Sequence, residues 1–356
     1  MDEKPVRIAI VGIGMWCKAL ATVIQKSRAF QIVTCYTRTP AKREEFAATF
    51  KCDHEDSYED VLRRKDVEAV LLTAPNSAHC GLAVAAAEQG KHVLVEKPIA
   101  NLIPEARRMV EGCRKNGVVL SVAHNQRRLA GYRKIKEMIQ KGELGKIATV
   151  ETNFSHNAGF RLTPQMWRWH EKECPGGPMM TLGVHPADTL QYLAGPIQSA
   201  FAFFNRLCLQ TEIIDTGAAI LQFESGAIGY LACNFITPWV NYCNIYGTEA
   251  NLYLTVELPA RKPDETPGQY GDYWNYADRN SALYLKRKGE DQKVKVDLKP
   301  GEILTEEVEE FAACIRNRQI PETAGPEAIR ALAVILAAVQ SARTKEVVSL
   351  AEVLAE

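Results

Sequence analysis

The sequence predicts an α/β protein in two parts: a doubly wound parallel sheet over residues 1–124, then an α+β domain with a large open, mostly antiparallel sheet over 125–356. Three observations carry this prediction. Up to about His124, short apolar runs alternate with helical patterns, the sequence form of a parallel sheet with helices on both faces. The first of those runs ends in a glycine turn. Beyond Asn125 the pattern changes to longer apolar–polar alternation with hairpin turns. At roughly 150 residues per domain, 356 residues fit two domains.

In the first part the strands are Val6–Val11, Ile32–Tyr36, Ala69–Thr73, His92–Val95 and Val118–Ala123. They are short and mostly apolar, as strands covered on both faces must be. Helix starts are marked by Thr39-Pro40, Ser57 and Ile103-Pro104, with proline in the first turn, where its missing N–H is harmless. In the second part, Ile147–Asn153, Ala200–Phe204, Ala219–Phe223, Ala227–Phe235, Leu252–Val256, Ala282–Lys286 and Lys293–Leu298 read as strands. Glu224-Ser225-Gly226 supplies one of the turns. Thr305–Asn317 and Pro326–Thr344 close the chain as helices.

Composition removes several classes of function. Lys plus Arg and Asp plus Glu both number 43, so no global field draws the chain to nucleic acid or an anionic membrane. Between Glu105 and Lys146 eleven Lys and Arg stand against four Glu, but on helical patterns with almost no aromatics, so they read as solvated faces. Arg127 and Arg128, just past the fifth strand, are the pair placed to approach a cofactor or a substrate phosphate. No apolar run approaches the ~20 residues that span a bilayer. The ten cysteines never form Cys-x-x-Cys, so no metal site is expected. With a first apolar run too short for a signal peptide, the reading is a reduced, cytoplasmic chain.

The first strand ends in Gly12-Ile13-Gly14-Met15-Trp16-Cys17, which is Gly-x-Gly-x-x-Gly with Cys in the third place. Two glycines serve the tight turn and the close approach of backbone to a pyrophosphate; the third position needs only a small side chain for helix–strand packing. The following helix directs its first N–H groups at the phosphates. About 20 residues on, a carboxylate would hold the ribose 2′-OH of NAD. Here the second strand runs into Tyr36-Thr37-Arg38-Thr39, with no carboxylate until Glu44. Thr37 is a donor and Arg38 a planar fork for a 2′-phosphate, so NADP is expected over NAD.

Two further segments narrow the reading. Thr73-Ala74-Pro75-Asn76-Ser77-Ala78-His79 follows the third strand, and Gly90-Lys91-His92-Val93-Leu94-Val95-Glu96-Lys97-Pro98 follows a helix. With the glycine turn, these resemble the Gfo/Idh/MocA oxidoreductases, named for glucose–fructose oxidoreductase and inositol dehydrogenase, whose hallmark is Glu-Lys-Pro at the end of the fourth strand. The resemblance runs through Ala123-His124-Asn125-Gln126-Arg127-Arg128, Gly142–Lys146, the Gly-Gly-…-His segment below, Phe311–Arg316 and Ser341–Val348. It implies an N-terminal Rossmann domain. Gly12, Gly14, Met15, Trp16, Thr37, Arg38, Thr73, Pro75, Asn76, His79, Glu96, Lys97 and Asn125 would then contact the cofactor. Ligands bind at the carboxyl ends of such strands, which is where Pro75–His79 and Glu96–Pro98 fall. Pro98 disfavours helix at Lys97, and in the family this peptide is often cis. A lysine between an acid and apolar surroundings is tuned toward neutral pH or donates to a substrate oxygen; otherwise it is a surface lysine paired with Glu96.

The other informative segment is Gly176-Gly177-Pro178-Met179-Met180-Thr181-Leu182-Gly183-Val184-His185-Pro186-Ala187-Asp188. In the family a cleft helix here carries Asp-x-x-x-His, which works with the lysine as an acid/base set. Helical spacing puts positions 181 and 185 on one face, one turn apart. In this chain Thr181 stands where the carboxylate would be. His185 is therefore expected to be less basic, with its tautomer set by another partner. Asp188 is one candidate for that partner; its other reading is structural. Trp167-Arg168-Trp169-His170 combines aromatic faces with donors, which suits a sugar ring or a buried core cluster. Gln269–Tyr276 is a second aromatic stretch. The resemblance thus implies an NADP-preferring oxidoreductase in which Lys97 and His185 are catalytic, and Lys97, Trp167, Arg168, Thr181 and His185 bind a sugar, cyclitol or related polyol. It also implies a homo-oligomer, dimer or tetramer, in which subunits stack their open sheets. Two rivals share these residues: a lyase or glycosidase with a transiently reduced, tightly bound nicotinamide, and a dinucleotide sensor without turnover.

Overall fold

Short, wholly buried strands can only stack side by side under helices, and the first part of the chain does so. A computed structural model describes residues 4–258 and 270–356. In chain order the first part is β1 (Val6–Val11), α1 (Met15–Lys26), β2 (Phe30–Tyr36), α2 (Pro40–Phe50), β3 (Asp53–His54), α3 (Tyr58–Arg63), β4 (Ala69–Leu72), α4 (His79–Glu88), β5 (His92–Glu96), α5 (Ile103–Lys115) and β6 (Leu120–Ala123). The sheet is parallel throughout, in the order β3-β2-β1-β4-β5-β6. From β1 the chain steps outward to β2 and β3, then returns to lay β4 on the other side of β1. A crevice opens at such a reversal, at the carboxyl ends of the strands. Pro40 opens α2, and the Ser57 hydroxyl caps α3 by accepting from Asp60 N at 3.1 Å. Only β3 escapes the sequence reading, because just two residues of it pair with β2.

The second part comprises α6 (Ala130–Gln140), β7 (Ile147–Ser155), α7 (Val184–Ala194), β8 (Ile197–Asn205), β9 (Thr216–Phe223), β10 (Ile228–Asn234), β11 (Val240–Gly247), β12 (Ala250–Thr255), α8 (Tyr270–Arg279), β13 (Ala282–Arg287), β14 (Val294–Val296), α9 (Ile303–Asn317), α10 (Gly325–Thr344), β15 (Val348–Ser349) and α11 (Leu350–Ala355). Its sheet has nine strands in the order β14-β13-β12-β11-β7-β10-β9-β8-β15, antiparallel except where β10 lies parallel to β7. Helices α7 and α10 pack on one face. The sequence reading omits β11. Its buried side is Asn241, Cys243 and Ile245 while tyrosines face the other way, so apolar–polar alternation is blurred.

The last helices return to the first part. Val122 N on β6 donates to Thr323 O at 2.9 Å, and Phe311 of α9 stacks on Phe30 of β2 with ring centroids 6.2 Å apart. That return brings α9 alongside α1.

Candidate active site

The crevice begins with a turn that only glycine can make. Gly12 has φ +89°, and a Cβ there would lie 2.6 Å from Ala74 N, so β1 and the segment after β4 touch backbone to backbone. Thr73 locks the contact: its N–H donates to Val11 O at 2.9 Å and its hydroxyl donates to Gly12 O. Cys17 stands in the third-glycine place and is fully buried; burial pushes its thiol up to about 12. At Gly14, the N-cap of α1, an added Cβ would meet nothing within 4 Å, and no side chain caps the helix. An uncapped N-terminus facing open space fits a phosphate. Met15 is exposed beside it.

At the end of β2, Thr37 is half-buried and Arg38 exposed. Arg43 donates to Thr37 O at 3.3 Å and pairs with Asp56, so the loop is braced from behind. After β4, Pro75 turns the chain into a short 3-10 segment where Asn76 is buried and its Nδ2 has no protein partner. His79 is directed elsewhere. Its ring nitrogens lie 3.0 Å from Pro98 O and 2.9 Å from Ala74 O, so it clamps two backbone segments together.

Glu96 and Lys97 end β5. The Glu96 carboxylate accepts from Trp16 Nε1 and, at 3.2 Å, from Lys97 N, which ties the glycine-turn helix to the lysine loop. Burial holds the Glu96 carboxyl above its ordinary range. The Lys97–Pro98 peptide is cis. Lys97 Nζ donates to Thr181 O at 3.0 Å, so the lysine reaches the second part of the chain. Burial lowers its ammonium to about 8; Arg168 pushes the same way and Glu96 opposes.

Thr181 and His185 do not sit on one turn of a regular α-helix. Met179–Gly183 is a π-helix that runs into α7. Pro186, early in α7, has no N–H to return to the preceding turn. Thr181 O, within the π turn, accepts from Lys97 Nζ. The Thr181 hydroxyl is also committed, donating to Gly177 O at 3.1 Å. His185 is buried among Phe154 and Trp274, with ring centroids 5.8 and 6.2 Å away, and its Nδ1 has no partner. Burial first, then the charges of Lys97 and His124, hold it well below the ordinary histidine range.

Asp188 is not the carboxylate of His185. Both its oxygens accept from Arg127, Nε and Nη2 each at 2.6 Å, across a 61-residue separation. Arg128 is likewise buried and pairs with Glu310. Neither arginine is free for a phosphate, because a buried guanidinium must take a counter-ion within the protein. Arg168 stacks on Trp167, 4.2 Å from the ring centroid, near enough to Lys97 and Glu96 for its charge to act on both. His170 turns outward to Glu212 and Pro164 O, at 3.0 and 2.9 Å. Gln269 lies outside the described residues; Trp274 of the same stretch reaches His185.

Three groups in or beside this site escaped the sequence reading. Asn125, at the end of β6, was expected, and it is buried with Oδ1 unpartnered; its neighbour His124 was not. The Arg127–Asp188 pair joins residues too distant for any local pattern. Glu307 of α9 is buried with both oxygens unpartnered, and burial raises it to about 8.

A crevice at the reversal of a parallel sheet, an uncapped helix behind a Gly-x-Gly turn, and a lysine and a histidine at its mouth define a dinucleotide-binding oxidoreductase. Residues 6–124 match the oxidoreductase family with an NAD-binding Rossmann fold, and residues 132–253 match the GFO/IDH/MocA C-terminal domain. The chain belongs to this family. A solved structure from Desulfitobacterium hafniense, assigned as an NADPH-dependent oxidoreductase, is 36% identical, with a TM-score of 0.91 and 99% of each chain covered. The 1,5-anhydro-D-fructose reductase of Ensifer adhaerens is 28% identical over 291 residues, 81% of each chain. The scyllo-inositol 2-dehydrogenase (NAD(+)) of Bacillus subtilis is 24% identical over 96% of this chain and 95% of its own.

Proposed function

We propose that the chain moves a hydride between the nicotinamide of NADP and a carbinol carbon of a sugar, cyclitol or related polyol. One observation carries the reading: Lys97 Nζ reaches Thr181 O at 3.0 Å, which brings the lysine at the carboxyl end of β5 up to the segment that carries His185. The nicotinamide supplies the redox chemistry when bound. Lys97 and His185 handle the hydroxyl proton, while Trp167 and Arg168 border the substrate. Gly12, Gly14, Met15, Trp16, Thr73, Pro75, Asn76, Glu96 and Asn125 form the cofactor's wall, and His79 supports two of its segments. Thr37 and the exposed Arg38 favour a 2′-phosphate, since no carboxylate follows β2 before Glu44. All ten cysteines are free thiols, which suits a reducing cytoplasm. No described helix is long and apolar enough to cross a membrane. We also assign the open face of the nine-stranded sheet to a second copy of the chain.

The test is a screen for nicotinamide absorbance with NADP+ and scyllo-inositol, D-xylose or levoglucosan, and with NADPH and 1,5-anhydro-D-fructose. Turnover of at least one is expected. Its absence across a broad polyol panel, with cofactor bound, would favour a sensor. Titration should show NADPH binding more tightly than NADH. Tighter NADH, or unchanged NADPH affinity in Arg38→Ala, overturns the cofactor choice.

A further inference from the structure

The Lys97–His185 site holds a second histidine with no assigned role. His124 follows β6 in a tight turn, its N–H donating to Val122 O at 2.8 Å. The ring is 1% exposed, and neither nitrogen has a hydrogen-bond partner. Buried polar atoms are rarely left so, and those of a native protein call for an explanation such as a ligand or ordered water. Four charged or titratable groups act on the ring. Asp188 of α7 lies behind Nδ1, with Oδ2 at 4.0 Å. Arg127, from the turn after His124, holds Asp188. Lys97 and His185 both interact electrostatically with it.

The Asp188 geometry selects a tautomer. At 4.0 Å the carboxylate is beyond hydrogen-bond length, yet in this buried setting it favours a ring that points N–H at it over one that points a lone pair. Oδ2 has a lone pair left after Arg127. With the proton on Nδ1, Nε2 diverges from Asp188 as an acceptor. Burial also lowers the ring to about 4, so at neutral pH it is uncharged and retains that lone pair.

We infer that His124 is a further substrate-binding residue: Asp188 holds it as the Nδ1–H tautomer, and Nε2 accepts the hydrogen bond of a substrate hydroxyl beside Lys97 and His185. This rests on the polyol reading above. Here Thr181 gives no carboxylate to the site, and among the described residues the carboxylate close to an imidazole of the site is Asp188, beside His124. A buried acceptor that only a hydroxyl satisfies also discriminates, because an analogue lacking that hydroxyl leaves it unpaired.

The first test needs no substrate. Long-range 15N–1H correlation spectra of the full chain with NADP+, at neutral pH, report each histidine's tautomer; His124→Gln assigns the signal. An Nδ1–H pattern for His124 is expected, drifting toward a mixture in Asp188→Asn. An Nε2–H pattern or an even mixture in the native chain overturns the proposal, and that result stands even if Asp188→Asn fails to fold. The second test uses a polyol turned over in the screen. His124→Phe should raise KM at least tenfold with NADPH affinity unchanged, and His124→Gln, which keeps an acceptor, should recover part of the loss. An unchanged KM, or equal loss of NADPH binding, overturns it. If no polyol is turned over, the functional reading fails and the substrate contact with it, whereas an Nε2–H pattern with a polyol turned over overturns this proposal alone.

Discussion

In the proposed reaction Lys97 carries the most chemistry of any single residue, and burial is the physical ground for that role. An ammonium in a buried site loses hydration, so the neutral amine gains; Arg168 adds to this and Glu96 resists it. The outcome, about 8, lies close to working pH, where a proton-handling group is most useful. Lys97→Ala should lower kcat by about 10²-fold or more, with NADPH binding largely kept. The sign of the pH dependence follows from the same shift. Sugar oxidation needs the free amine, so kcat/KM for oxidation should rise toward pH 8 and level off above it, and sugar reduction should fall over the same window. An oxidation profile that stays flat through that window, or survives intact in Lys97→Ala, removes the lysine from proton transfer. Lys97 and His185 stand out in the sequence because each sits in a compact local motif. The partners of His185 do not. Asp188 looks available from three residues away, but Arg127, 61 residues distant, takes both its oxygens.

At the level of elements, the β1 turn and the π segment show two limits of local reading. Gly-x-Gly is readable because it ends the first strand in a turn, and its two glycines stand in different surroundings. Gly12 is needed by the fold: a side chain would strike Ala74 N at 2.6 Å from a φ of +89°. Gly14 is not needed by the fold, since its Cβ would meet nothing within 4 Å; in the proposed reading it is the ligand that needs the space. Gly12→Ala should therefore lower Tm by several degrees, on the order of 2–4 kcal/mol for strain plus clash, and abolish dinucleotide binding. Gly14→Ala should leave Tm within about a degree while weakening NADPH at least tenfold, because the methyl fills space the pyrophosphate needs. Calorimetry and titration of both variants check this; equal loss of stability in the two would refute the division. The π turn lies beyond such reading. Pro186 shows that one N–H is missing, but nothing local says that the preceding turn widens or that Thr181 O turns to a side chain. That side chain is Lys97, from 84 residues away.

For the whole molecule, both sheets were readable in outline because strand period and burial agree along most strands, and the exceptions have physical causes. β11 buries an asparagine and shows tyrosines, while β3 and β15 are too short to carry a period. The return of α9 and α10 onto the first part has no local signature at all. The remaining issue at this scale is the face of the nine-stranded sheet opposite α7 and α10. Register aligns Phe201, Ile220, Tyr230, Glu151, Asn244, Tyr253 and Tyr284 in one row across six strand pairs. Phe203 is 63% exposed, Ile220 49% and Ile228 43% on the strands around that row. A monomer gains nothing from showing so many large apolar side chains on a flat surface, and such patches mark association sites. Glu151 does not interrupt the surface as a bare charge, since Asn244 Nδ2 and Tyr246 OH both donate to it at 2.6 Å. A second copy presenting the same face closes the contact by two-fold symmetry. Sedimentation at micromolar concentration should then give a dimer or tetramer. A double change of Phe203→Glu and Ile220→Lys should shift it to monomer, with NADPH affinity retained because the crevice lies in the other sheet. A native chain that sediments as a monomer, or a double variant that still assembles, would mean that something other than a second copy covers this face.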